Sequence, residues 1–101
     1  MISDDDFLKL FNTAALAAKT AISPPVAATN LDQTLPELNI DSLDAMIMGM
    51  YLCETFGVPE EKGKHFQPKT VGEYKDLLVN HATKKTINVE EAIENIKWAS
   101  F

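Results

Sequence analysis

Ser42 stands between two carboxylates in Asn39-Ile40-Asp41-Ser42-Leu43-Asp44, where an apolar segment with helical spacing begins. A hydroxyl at that point is open to covalent modification. An anionic group attached there would lie near the unpaired N–H groups of a helix N-terminus and the positive end of its dipole, although Asp41 and Asp44 oppose a phosphate locally. The plain alternative is that Asp41 or Ser42 serves only as the helix N-cap. The other reactive types add little. His65 and His81 fall in lysine-containing segments with no cysteine or paired carboxylate at metal-ligand spacing, so both read as solvated surface residues. No Gly-x-Ser-x-Gly elbow or other oxyanion signature accompanies Ser42, so no second catalytic group can be assigned to it. Cys53, the single cysteine, reads as a small buried or half-buried apolar residue and excludes an internal disulfide.

The element that positions Ser42 runs to Phe56 without proline or a basic residue, a rod of about 22 Å. Two apolar stripes follow its length. Ala45, Met48, Leu52 and Phe56 form one; Leu43, Met46, Ile47, Met50 and Cys53 form the other, displaced around the axis. With the first stripe supplying the core face, the second is free to meet a partner, and methionine adapts its shape to several. Gly49 and the methionines are also placed to line a cavity between helices.

The remaining elements are helical, and the chain reads as a small all-α protein of one domain. Ser3 caps a helix from Asp4 to about Thr20, with Phe7, Phe11, Ala14 and Ala18 on one face, ending before Ser23-Pro24-Pro25. Residues 23–41 form a long connection whose Val26, Leu31, Leu35, Leu38 and Ile40 predict a loop packed on the core. Phe56-Gly57-Val58-Pro59 stops the second helix, and Glu60 to Phe66 can add a short turn of helix weakened by Gly63. Thr70-Val71-Gly72-Glu73 is a capping box that opens a further helix with Val71, Tyr74, Leu77 and Leu78 inward. Asn88 and Glu91 repeat that signal for a last helix with Val89, Ile93 and Ile96 as a narrow stripe, followed by Trp98 and Phe101.

Charge narrows the function classes. The formal net charge of −6 comes from 15 acids against 9 bases, all lysine, which argues against a general nucleic-acid binder. Between Lys19 and Lys62 there is no basic residue, while Asp32, Glu37, Asp41, Asp44, Glu54, Glu60 and Glu61 are acidic. A basic partner would be steered to the Ser42 end. No apolar run reaches the length of a membrane span and no signal-peptide layout opens the chain, so the expected location is cytoplasmic.

One helix, a long packed loop, Asp-Ser-Leu opening a second helix, a Phe-Gly-Val-Pro stop and a Thr-Val helix start together resemble the acyl carrier protein family over residues 4–81. The resemblance implies a small four-helix bundle, residues 1–82, with residues 83–101 as a helical C-terminal extension. It implies that Ser42 carries 4'-phosphopantetheine, whose thiol holds an acyl chain as a thioester, and that the chain has no catalysis of its own. A phosphopantetheinyl transferase would load Ser42, with Asp41 and Asp44 as contacts for that enzyme or its magnesium ion. The partners implied are a ketosynthase, reductase, dehydratase or acyltransferase of fatty-acid or specialised lipid synthesis. Asp41, Leu43, Asp44, Met46, Ile47, Met50 and Glu54 are the expected docking residues. The sequence departs from the family at Asn39, where glycine is usual and a different loop conformation is therefore expected, and in a second helix with Ile47 and Cys53 at positions usually acidic. A peptidyl or polyketide carrier, and an unmodified helical adaptor, are the alternatives.

Overall fold

Ser3 and the three aspartates after it start the first helix as their chemistry requires. The Ser3 side chain accepts from the Asp6 N–H at 3.2 Å, and the acids meet the positive end of α1, Asp4–Ala17. The computed structural model describes residues 2–18, 25–84 and 86–100. The expected helix end near Thr20, the Ser23-Pro24 break and Phe101 lie outside them.

The long connection is packed, as its apolar residues predict. Ala28, Leu35, Leu38 and Ile40 are buried, while Val26 stays exposed. The Asn12 side chain fixes it to α1 by pairing with both backbone groups of Ala28, at 2.7 and 3.1 Å. An isolated bridge between Thr34 and Thr70 ties it to the segment just before residue 71. A 3-10 turn, Pro36–Leu38, ends on Asn39 with φ 59° and ψ 38°. This left-handed conformation is the one glycine reaches freely and asparagine tolerates better than most residues, so Asn39 keeps the backbone option that a glycine would offer.

Asp41 caps α2, Ser42–Phe56, accepting from the Asp44 N–H at 2.8 Å. Gly57, at φ 73°, closes it with the Val58 N–H on the Cys53 carbonyl at 2.8 Å. The expected turn after Pro59 is shorter than predicted: α3 covers Glu60–Gly63. Thr70 caps α4, Val71–His81, through the Glu73 N–H, and the return bond of the box lands one residue upstream, from the Lys69 N–H to Glu73 at 2.6 Å. Asn88 caps α5, Val89–Ser100, accepting from the Glu91 N–H at 3.1 Å. The described residues thus form five α-helices and no strand.

α1 is the central element, with its most extensive packing against α5 and then α2. Phe7 meets Phe11 and Phe56 at ring separations of 6.1 and 6.3 Å, and Phe11 meets Tyr74 edge-on at 6.0 Å. Met48, Leu52 and Phe56 of α2 fill the same core, as do Val71 and Leu78 of α4 and Ala92 and Ile96 of α5. Residues after 82 therefore contribute to the core on which the rest of the chain folds. Among them, Trp98 points outward.

Candidate functional site

Ser42 is the first residue of α2, exposed, with the capping position taken by Asp41. That division of labour matters chemically: the Asp41 carboxylate satisfies a helix N–H, and among the described residues no hydrogen bond holds the Ser42 hydroxyl. The plain reading of Ser42 as the N-cap is therefore replaced by Asp41. A 15-residue helix begins at Ser42, so an anionic group on its hydroxyl would meet the positive end of the helix dipole, with the Asp41 carboxylate opposing it.

The face beside Ser42 is apolar. Leu43, Met46 and Met50 are exposed, the last two at 64% and 68%, and Ile47 is half-buried behind them. At 100° per residue these side chains and Glu54, also exposed, fall within one flank of α2, with Met48, Leu52 and Phe56 turned the other way into the core. Asp44 departs from the expected docking set. It is buried, 6% exposed, on the core side of the helix, so the fold withdraws it from the surface where a partner contact was expected. Cys53 is buried as well, on the edge of the second stripe, and burial pushes its thiol up from the ordinary 9.0.

Beside Gly49, where a cavity was expected, stands the Tyr74 side chain. The Tyr74 hydroxyl donates to the Ala45 carbonyl at 3.2 Å and occupies the space beside Gly49, where an added Cβ would stand 2.8 Å from it. Burial, and then the neighbouring Cys53, push the Tyr74 phenol well above its ordinary value. Met48 is fully buried. A mid-helix glycine is the sequence signal for such a close approach, but it does not name the group that approaches.

Around the site, Glu37 is tied to Thr34 by the backbone N–H at 3.1 Å and the hydroxyl at 2.9 Å, which holds its carboxyl below the ordinary value. His65 is exposed as expected, whereas His81 is half-buried and stacks on Phe66 at 5.4 Å. No group of three or more acidic, histidine or cysteine side chains among the described residues could hold a metal ion. No helix among them is long and apolar enough to cross a membrane. One concave feature was not legible beforehand, a cleft of about 350 Å³ between the C-terminal half of α2 and the start of α5. Comparison with family models, curated proteins and solved structures finds no match.

Proposed function

We propose that this chain is a carrier whose Ser42 hydroxyl takes a 4'-phosphopantetheine arm and holds acyl chains on it for enzymes of fatty-acid or specialised lipid synthesis. The observation that carries the reading is the arrangement at the head of α2: an exposed Ser42 whose capping duty is done by Asp41. The helical elements, the packed loop and the resemblance of residues 4–81 to acyl carrier proteins support an acyl-carrier-like bundle, extended here by α5. When attached, the arm supplies a thiol for thioester chemistry. The chain supplies an accessible attachment point, a helix N-terminus to receive the phosphodiester, and an apolar flank for successive partners. Leu43, Met46 and Met50 lie on that flank beside Glu54, with Asp41 at its head. A phosphopantetheinyl transferase loads Ser42, and weak, fast association suits a shuttle that must release each ketosynthase, reductase, dehydratase or acyltransferase. Such a carrier works in the cytoplasm and has no active site of its own.

The exposed Met46 and Met50 equally favour an unmodified helical adaptor. Labelling with a fluorescent coenzyme A analogue and a broad-specificity transferase separates the two readings: a carrier is labelled and Ser42→Ala is not, whereas an adaptor takes no label in either form.

A further inference from the structure

The C-terminal end of α2 is tied to a segment 26–30 residues further along the chain. The Phe56 carbonyl accepts from the Thr83 and Lys84 N–H groups at 3.2 and 3.3 Å, the Gly57 carbonyl from the Thr83 hydroxyl, and the Glu54 carbonyl from the Lys84 ammonium at 3.3 Å. α2 has no basic residue in its own last turn, so Lys84 brings the cation to the negative end of that helix. Gly57 makes room for the crossing: a Cβ there would collide with the Thr83 hydroxyl and stand 3.0 Å from the Lys84 side chain. Thr83 and Lys84 are themselves exposed, so hydrogen bonds hold the crossing in place. Asn88, four residues beyond Lys84, caps α5. Among the described residues α5 buries Ala92 and Ile96, whereas α1 buries Phe7, Leu10, Phe11, Ala14 and Ala15.

An element that buries little apolar surface opens at a lower free energy than the core beneath it. We propose that α5 is a lid on α1 and that Thr83 and Lys84 are its latch: the crossing is engaged on α2 while α5 is docked and comes free when α5 lifts, so that latch and lid release as one cooperative unit. Lifting uncovers the side of the core against which Ala92 and Ile96 pack and takes these partners from the last carbonyls of α2, while the contacts of Phe7 with Phe11 and Phe56 hold the rest together. The link is reciprocal. Whatever holds α5 down also holds the end of α2, and whatever binds the end of α2 in its latched form holds α5 down. The device consists of packing and hydrogen bonds and does not depend on modification of Ser42.

Native-state hydrogen exchange of the full chain, followed amide by amide by NMR across low urea concentrations, tests the latch, because the Thr83 and Lys84 N–H groups are themselves its donors. In the wild type the amides of Thr83, Lys84 and α5 are expected to converge on one opening free energy, with those of α1 exchanging more slowly. Ile96→Ala, which loosens the lid without touching the latch residues, should speed exchange at Thr83 and Lys84 by the same factor as in α5, at least about tenfold. Thr83→Val/Lys84→Met, with an unchanged far-UV spectrum, removes two hydrogen bonds and keeps the side-chain stems, and should speed exchange throughout α5 by about tenfold. Exchange at Thr83 and Lys84 that ignores Ile96→Ala would overturn the proposal. So would exchange in α5 that ignores the latch variant, or α1 amides that open together with α5 in the wild type.

Discussion

At the scale of single residues, the Gly49–Tyr74 contact decides how α2 and α4 meet. Gly49→Ala gains about 1 kcal/mol of helix propensity but forces the Tyr74 hydroxyl off its place, and overpacking of this kind costs about 1–3 kcal/mol. Net destabilisation is expected in urea unfolding. In the Tyr74→Phe background the same substitution should become neutral or stabilising. Equal effects in both backgrounds would show that the hydroxyl is not the obstacle. The two buried acids of this region also set a pH dependence. Cys53 and Tyr74 titrate above their ordinary 9.0 and 10.0 in the folded chain, so the unfolded chain loses their protons first. Their stabilising contribution is complete below about pH 9 and is lost as pH rises through the folded values. Unfolding free energy should therefore fall from pH 9 to pH 11, and Cys53→Ala should remove the lower part of that decline. Sequence reasoning located Ser42 and its acidic neighbours. It could not separate Asp41 from Ser42 as the cap, because both residue types cap well and only geometry assigns the bond; Asp44 was expected at the surface because the resemblance implies a partner contact there, and a resemblance of motif does not fix how deeply a side chain is buried.

At the scale of elements, α2 buries Met48, Leu52 and Phe56 on one side and exposes Leu43, Met46 and Met50 on the other. Replacing Met46 and Met50 with glutamate should change unfolding free energy by no more than about 1 kcal/mol, since both side chains are exposed and the cost is like-charge repulsion at helical spacing, including that of position 50 with Glu54. Pull-down or titration with a partner enzyme should show weaker binding. Unfolding of the double variant would place these methionines in the core. Helix starts were legible in Ser3, Thr70 and Asn88, since each capping side chain is followed three residues later by an acid whose N–H it takes. The extent of α3 was not legible. Its lone turn depends on Pro59 at the start and Gly63 at the end, and so short a segment carries too little periodicity to fix its length.

At the scale of the whole molecule, α5 decides whether residues 83–101 are an appendage or part of the body. Ile96 is 3% exposed and packs with the core built on α1. Ile96→Ala should cost about 2–4 kcal/mol, read as a fall in the urea midpoint with unchanged slope. A loss under about 0.5 kcal/mol would mean that α5 is a loosely attached arm. The sequence marked Val89, Ile93 and Ile96 as a stripe but left open whether it packs at home or on a partner, because periodicity says which side is apolar and not what covers it. The cleft stayed hidden for a related reason. It exists because α1 accepts α2 and α5 on adjacent sides, which is a property of packing and not of any one segment.

The carrier reading turns on one atom, the Ser42 hydroxyl. Intact-mass spectrometry of the purified chain, before and after incubation with coenzyme A, magnesium and a broad-specificity phosphopantetheinyl transferase, tests it most directly. A carrier gains the mass of one phosphopantetheine, and Ser42→Ala gains none. A folded wild-type chain that gains nothing, or a variant that gains the same mass, would contradict the assignment of Ser42 and leave the helical adaptor in its place.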